Sequence, residues 1–216
     1  MLSTLGVLTR SRGGLYVVFE GIDGAGKTTL IRSVAAALRE HGREVVVTKE
    51  PTDGPLGRKI RELAATGRGT VTPEEELALF HEDRRIHVAE VVRPALAAGH
   101  TVLQDRSYFS TLAYQGDRGL DPGRILEESL RVAEEPDVLF VVDVPAEVAL
   151  ERIRRTRGAD RDDFEALDSL RRVSKVFRAF AGMEFVFEKH LIDGTLLPDV
   201  MLERVLSVLE ARRQSP

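Results

Sequence analysis

Short apolar runs alternate along the chain with longer stretches in which apolar residues recur every three or four positions. The runs are Leu15 to Phe19, Val45 to Val47, Thr101 to Leu103, Val138 to Val142 and, weakest of all, Leu191 to Asp193. Uninterrupted runs of this length are typical of strands that a parallel sheet buries on both faces. Their alternation with helical patterns predicts an α/β fold with a mostly parallel central sheet, flanked by helices and carrying functional residues at the carboxyl ends of its strands.

The longest helical pattern has a clear start signal. Thr72 and Glu75 are spaced as in a capping box, with a proline at the first helical position between them. Apolar spacing then continues towards Gly99, and Pro94 interrupts it. We therefore expect one long helix that bends at Pro94.

A glycine-rich segment lies between the first predicted strand and a predicted helix that ends before Gly42. The phosphate-loop pattern GxxxxGK[ST] is matched in full, with Thr29 following, at Gly21, Ile22, Asp23, Gly24, Ala25, Gly26, Lys27 and Thr28. In such loops backbone N–H groups surround the phosphates, and Lys27 would reach the β and γ oxygens of a nucleotide. The Thr28 hydroxyl would hold Mg²⁺. The segment predicts ATP as co-substrate and Mg²⁺ as cofactor.

The phosphate loop alone does not separate GTPases, ATPases and small-molecule kinases. A GTPase is expected to carry an NKxD segment that reads guanine. The chain contains no asparagine. The GTPase class is therefore nearly excluded, and the other classes must be separated by residues elsewhere.

An acid and an arginine, Asp105 and Arg106, follow directly after the third predicted strand. At a strand's carboxyl end they would face the nucleotide crevice. Asp105 could hold Mg²⁺ or its waters, and Arg106 could neutralise an acceptor phosphate. From these two residues alone, a surface pair at a strand end explains the sequence equally well.

The segment that starts at Asp105 reads DRSYFSTLAYQG and resembles the DR[YH]xxSxxAYQG segment of thymidylate kinases. Three further segments resemble that family in the same order: FEGIDGAGKTT from Phe19, TKEP from Thr48 and LFHEDR from Leu79. The resemblance implies a P-loop NTPase-type three-layer fold with a small lid. It also implies transfer of the γ-phosphoryl group of ATP to dTMP, giving dTDP and ADP, in a cytoplasmic homodimer.

The resemblance also implies roles for individual residues. Phe80 would stack on thymine and Arg84 would hydrogen-bond it, while Asp23 would meet the 3′-hydroxyl. Arg106 would bind the dTMP phosphate, and Tyr114 would pack on the deoxyribose. The other residues expected to bind substrate are Lys49, Glu50, Pro51, Ser110 and Gln115. Spacing alone favours a core position for Phe80, and Tyr114 could equally cap the core with its hydroxyl at the rim.

Three positions depart from the family pattern. Ser107 stands where Tyr or His is usual, Lys49 replaces an arginine, and Glu82 replaces a small residue near the expected base site. Lysine offers a point charge where arginine offers a two-pronged donor. We therefore expect base selectivity to be the property most exposed to these changes.

Arginines crowd the segment after the fourth strand and a short helix. They are Arg152, Arg154, Arg155, Arg157 and Arg161. One interpretation is that these arginines form a solvent-exposed helix face without a catalytic role. Because the phosphate loop has Gly24 where some relatives carry an arginine, we expect residues 152–165 to form a lid whose Arg157 or Arg161 acts in catalysis, together with Lys27, Asp105 and Arg106.

Length and composition limit the classes of protein to which the chain can belong. A chain of 216 residues is long enough for one kinase domain, which we expect over 15–216, after a flexible tail at 1–14. The net charge of -4 disfavours a nucleic-acid binder, and no apolar run reaches the roughly 18 residues of a membrane span. No cysteine is present, which agrees with a reducing cytoplasm. Two alternatives stay open: a kinase for another nucleotide or deoxynucleoside, and a non-catalytic ATP-binding regulatory protein.

Overall fold

The structure is a computed structural model that describes residues 13–67, 69, 71–157 and 163–214. Its strands are β1 (Leu15–Glu20), β2 (Val45–Lys49), β3 (Thr101–Asp105), β4 (Val138–Asp143) and β5 (Glu188–Asp193). They form one sheet in the order β2-β3-β1-β4-β5, and every neighbouring pair is parallel. The predicted α/β class with a parallel central sheet is confirmed.

The helices flank this sheet. They are α1 (Lys27–Glu40), α2 (Pro55–Ala65), α3 (Pro73–His87), α4 (Arg93–Ala97), α5 (Tyr108–Asp117), α6 (Pro122–Leu130), α7 (Ala146–Arg157), α8 (Asp163–Gly182) and α9 (Pro198–Gln214). Helix α1 packs on β1, β2, β3 and α9, whereas α8 packs on β4, β5 and α5. None of the described helices is long and apolar enough to span a membrane.

Strand β1 is the point at which the order of strand addition reverses from one side of the sheet to the other. The chain runs from β1 to the edge strand β2, returns to insert β3 between them, and then places β4 and β5 on the opposite side of β1. A crevice for ligands is expected beyond the carboxyl ends of strands at such a switch point. Both faces of β1 are covered, and Phe19 stacks on Phe140 with ring centroids 5.3 Å apart.

The long predicted helix is interrupted. The capping box is present, because Thr72 accepts from the Glu75 backbone N–H and Glu75 accepts from that of Thr72. The helix continues as a π-helical segment at Val88–Val92 before α4. Pro94 has no N–H to donate back to the preceding turn, which explains why regular α-helical bonding stops just before it.

Two expectations differ in extent from the structure. Strand β5 begins at Glu188, three residues before the predicted start, because this edge strand is only partly buried and its apolar pattern is weak. The arginines expected to follow a short helix lie on α7 itself as far as Arg157. Arg161 and residues 1–12 of the predicted tail lie outside the described residues.

Candidate active site

Three strands end beside one another at the predicted crevice. In the sheet register, Phe19 of β1 and Lys49 of β2 both lie opposite Asp105 of β3. The phosphate loop therefore leaves β1 next to Asp105. Segments far apart in sequence are joined into one site by this register.

The phosphate loop depends on glycines at two close approaches. Gly21 and Gly24 have φ values of 137° and 77°, in the region that side chains disfavour. A Cβ on Gly24 would lie 2.4 Å from the Ala149 carbonyl oxygen, and one on Gly21 would lie 2.4 Å from that of Val142. The loop is thus pressed against the start of α7 and the end of β4, with no space for an arginine at Gly24.

Lys27 is folded back into the loop. Its buried ammonium donates to the carbonyl oxygens of Gly21 and Ile22, both at 2.9 Å. Burial, together with the nearby Arg106, lowers the pKa of Lys27 from 10.5 to about 8. Carboxylates that oppose this shift are Asp105, Asp23 and Glu20. An ammonium placed in this way is ready to exchange carbonyl partners for phosphate oxygens.

Thr28 and Asp105 supply hard oxygen ligands side by side. The Thr28 hydroxyl donates to Asp105 Oδ2 at 2.6 Å. Asp105 Oδ1 is buried and has no hydrogen-bond partner among the described residues. No cluster of three or more acidic, His or Cys ligands for a metal occurs in the described part of the chain. The donor set suits Mg²⁺ that is shared with nucleotide phosphates, because Mg²⁺ takes few protein ligands in such sites.

Arg106 occupies a strained and highly connected position. Its φ of 68° is unusual for a residue other than glycine. The guanidinium donates to Asp23 Oδ1 at 2.7 Å and to Ser110 Oγ at 2.8 Å, and lies 5.3 Å from the centre of the Tyr114 ring. Burial acts to lower the pKa of Arg106, but Tyr114 and the surrounding carboxylates raise it above its ordinary value. The side chain is therefore a fixed cation at the crevice.

Glu20 is a site residue that the sequence reasoning missed. This fully buried carboxylate accepts hydrogen bonds from the backbone N–H and hydroxyl groups of both Ser107 and Ser110. Burial raises the pKa of Glu20, while Arg106 and these hydrogen bonds act in the opposite direction. Ser110 in turn accepts from Arg106. The sequence feature that could have identified Glu20 is its position as a charged residue at the end of the otherwise apolar strand β1.

A cavity of about 730 Å³, here called the acceptor cavity, opens beside Arg106. The structure brings every residue expected to bind substrate into its lining: Asp23, Lys49, Glu50, Pro51, Phe80, Arg84, Arg106, Ser110, Tyr114 and Gln115. Thr111 and Arg61 also line it without having been predicted. Residues from β2, α3 and α5 therefore meet at one space.

Both aromatic and polar side chains line the acceptor cavity. Phe80 is half-buried and lies outside the hydrophobic core cluster, contrary to what its spacing alone favours. Tyr114 is also half-buried, and its ring meets the edge of Phe177. Gln115 donates to the buried carboxylate of Glu76 at 3.0 Å. Phe80 and Tyr114 thus offer ring surfaces to a ligand, while Gln115 is held from behind.

Arg84 is buried in the cavity wall and is not fully hydrogen-bonded. Its Nε donates to Glu50 Oε2 at 2.8 Å, and its Nη2 donates to Thr111 Oγ1 at 2.9 Å. Nη1 is buried without a partner among the described residues. Leaving a buried cationic donor unpaired is costly, so an oxygen atom of a ligand is the expected partner.

The three departures from the family pattern have different surroundings. Glu82 is exposed, pairs with Arg85 and does not line the acceptor cavity. Lys49 lines the cavity and forms an exposed ion pair with Asp53 at 2.9 Å. Ser107 is buried and bonded to Glu20. Of the three, Lys49 and Ser107 remain close enough to influence a bound ligand.

The arginines of α7 do not act alike. Arg152 turns onto the phosphate loop, where it donates to Gly24 O at 3.4 Å, Ala25 O at 3.3 Å and Gly194 O at 2.9 Å. Arg155 pairs with Glu151 one turn away on the exposed face. Arg157 ends the helix, and its side chain lies outside the described part. The solvated-face interpretation holds for Arg155 and not for Arg152.

Comparisons with known proteins agree with this geometry. The family model described as thymidylate kinase matches residues 19–193. A thymidylate kinase of Desulfotalea psychrophila is 40% identical over 195 residues, covering 90% of this chain and 94% of the relative. Thymidylate kinases of Xanthomonas oryzae pv. oryzae and Xanthomonas campestris pv. campestris are 43% and 42% identical over 199 residues, covering 92% of this chain and 84% of each relative. This chain therefore belongs to the thymidylate kinase family.

Proposed function

We propose that this protein is a thymidylate kinase that transfers the γ-phosphoryl group of ATP to dTMP, giving dTDP and ADP. The observation that carries the proposal is the acceptor cavity next to the phosphate loop, in which the buried Arg84 has one unpaired donor and Arg106 presents a fixed cation. Family membership supports the same reaction.

On the donor side, residues 21–29 bind the ATP phosphates. Backbone N–H groups and the N-terminus of α1 surround them, and Lys27 leaves the carbonyls of Gly21 and Ile22 to meet the β and γ oxygens. Thr28 and Asp105 would hold Mg²⁺, which would supply charge neutralisation of the phosphates. Catalysis then consists of positioning and charge stabilisation, without a covalent enzyme intermediate.

On the acceptor side, Arg106 binds the phosphate of dTMP while Asp23 and Tyr114 contact the sugar. Arg84 donates from Nη1 to the thymine, and Phe80 stacks on the ring. Lys49, Glu50, Pro51, Ser110 and Gln115 complete the site. Aromatic stacking and a buried donor together select a planar base that carries a carbonyl acceptor.

A lid arginine completes the charge balance. Gly24 has no space for a side chain, so the phosphate loop cannot supply an arginine to the transferring group. We assign that task to Arg161 or Arg157 in the lid at 152–165. Closure of the lid over both substrates would also exclude water and suppress ATP hydrolysis.

We also infer a homodimer that works in the cytoplasm, as the family resemblance implies. Light scattering coupled to size-exclusion chromatography tests this: a mass near 48 kDa supports the dimer, and one near the 23.9 kDa chain mass contradicts it.

The function is tested with an ATP-coupled assay against dTMP, dUMP, UMP, CMP, AMP and GMP. We expect ADP release to require an acceptor and dTMP to have the highest kcat/KM. A higher kcat/KM for another monophosphate would establish the alternative kinase, for which Ser107 and Lys49 are the residues to examine. If no ADP is released with any of the six acceptors, the non-catalytic ATP-binding alternative is favoured.

A further inference from the structure

His87 lies behind Arg84 and connects it, through hydrogen bonds, to residues of strand β2 and of the segment that follows β2. Its side chain is 2% exposed, as is that of Arg84 one turn earlier on α3, and Glu50 between them is 4% exposed. His87 Nδ1 lies 3.0 Å from Glu50 Oε1, and its Nε2 lies 2.6 Å from Thr48 Oγ1. A chain of hydrogen bonds thus runs from Thr48 through His87 and Glu50 to Arg84.

The charges fix the direction of these hydrogen bonds. Burial acts to raise the pKa of Glu50, but Arg84 and His87 outweigh it, so that the pKa lies below its ordinary value. An ionised carboxylate can only accept, and His87 must therefore carry a proton on Nδ1. In the neutral ring Nε2 is then an acceptor for the Thr48 hydroxyl. Thr48 stabilises the tautomer that Glu50 requires.

Each Glu50 oxygen serves one partner. Oε1 accepts from His87 and Oε2 accepts from Arg84 Nε, while Arg84 Nη2 is occupied by Thr111. Guanidinium and carboxylate groups prefer two parallel hydrogen bonds when both oxygens are available. Without His87, Glu50 could accept from Nε and Nη2 together and draw the guanidinium away from Thr111. The direction of Nη1 would change with it.

We propose that His87 is a positioning residue for nucleobase recognition: by occupying one oxygen of Glu50, it holds Arg84 in the orientation that leaves Nη1 free for the base. The inference rests on the proposed function, in which Arg84 reads the base. It assigns the discrimination between thymine and cytosine to a residue that does not itself line the acceptor cavity.

Two substitutions of His87 distinguish the contribution of Nδ1 from that of Nε2. His87→Asn places an amide N–H near the position of Nδ1 and keeps a donor to Glu50. His87→Gln places its polar group near Nε2 and loses that donor. The measurements are KM for dTMP, KM for ATP, and the ratio of kcat/KM for dTMP over dCMP, whose amino group at position 4 replaces the carbonyl.

We expect His87→Gln to raise KM for dTMP and to lower the dTMP over dCMP ratio, each by about tenfold, the value of one charge-assisted hydrogen bond. His87→Asn should stay within about threefold of the parent protein in both, and KM for ATP should change less than about twofold in either variant. Equal behaviour of the Asn and Gln variants, or a parallel loss for ATP, would show that His87 only fills space and would overturn the inference.

Thr48→Val gives a second test that does not disturb the core, because Thr48 is only partly buried and Val has the same shape. Loss of the hydroxyl should lower the dTMP over dCMP ratio by about threefold without changing KM for ATP. An unchanged ratio contradicts the inferred chain of hydrogen bonds. If the parent protein does not phosphorylate dTMP, the proposed function fails and this inference fails with it, whereas normal parent activity with unaltered variants overturns this inference alone.

Discussion

Thr28 Oγ1 donates to Asp105 Oδ2 at 2.6 Å and so ties the start of α1 to the end of β3, 77 residues later in the chain. The other Asp105 oxygen is buried without a partner among the described residues. This relationship places one hydroxyl and one carboxylate beside the phosphate loop, and the two together are the expected protein ligands of Mg²⁺.

Asp105→Asn should raise the Mg²⁺ concentration needed for half-maximal activity by roughly 10- to 100-fold, because the charge is lost while an acceptor for Thr28 is kept. Asp143→Asn is the matched control. Asp143 is also the last residue of a parallel strand, β4, but its carboxylate pairs with Arg178 at 2.9 Å. A Mg²⁺ titration of activity checks both. Equal shifts in the two variants would remove Asp105 from the metal site.

ATP binding should weaken as the pH rises through 8. Lys27 has a pKa of about 8 in the free protein, and the phosphates of ATP would raise it, so the complex keeps a proton that the free protein loses above pH 8. The Kd for ATP should increase about tenfold between pH 7 and pH 9. Calorimetry in two buffers of different ionisation enthalpy should detect proton uptake at pH 8.5, and Lys27→Met should abolish it. Binding without proton uptake contradicts the assigned role of Lys27.

Phe80→Ala should weaken dTMP binding more than ATP binding, because an aromatic stack on a base contributes about 1–3 kcal/mol. Calorimetric Kd values for the two ligands check this, and Phe80→Leu controls for apolar volume. The Leu variant should recover fold stability but not the whole dTMP affinity. If both Kd values rise by the same factor while Tm falls, Phe80 belongs to the hydrophobic core after all.

Arg161→Ala, or failing that Arg157→Ala, should lower kcat by about 10²-fold with little change in dTMP affinity, as expected for a contact made mainly in the transition state. Arg155→Ala is the matched control, because Arg155 pairs with Glu151 on the exposed face of α7. Steady-state kinetics check the three variants. Should both single variants and the double variant keep kcat within about threefold, equivalent to some 0.7 kcal/mol, the lid arginines have no catalytic role.

Features of the site that depend on local sequence could be predicted, whereas those built from distant segments could not. The phosphate loop follows from fixed spacing between a strand and a helix, and the capping box at Thr72 from a four-residue pattern. The link between His87 and Glu50 joins residues 37 apart, and the contact of Arg152 with Gly24 spans 128 residues. Only the order of the strands brings such pairs together.

The position of Glu20 illustrates a second limit. A single carboxylate at the end of an apolar strand gives no indication of its partners. Its four hydrogen bonds come from Ser107 and Ser110 at the start of α5, which follows the neighbouring strand β3. The family resemblance predicted residues that line the acceptor cavity, but the groups that hold those residues in place emerged only from their contacts. Supporting residues are selected by packing, which leaves no fixed spacing in the sequence.

Phosphoryl transfer to dTMP can be followed directly by chromatography of labelled phosphate passing from [γ-³²P]ATP into dTDP, with Lys27→Ala as the control. We expect labelled dTDP only when dTMP is present. A folded Lys27→Ala variant should form almost none, because an electrostatic clamp on the transferring group is lost. Labelled inorganic phosphate in place of dTDP, or near-normal transfer by the folded variant, would contradict the proposed function.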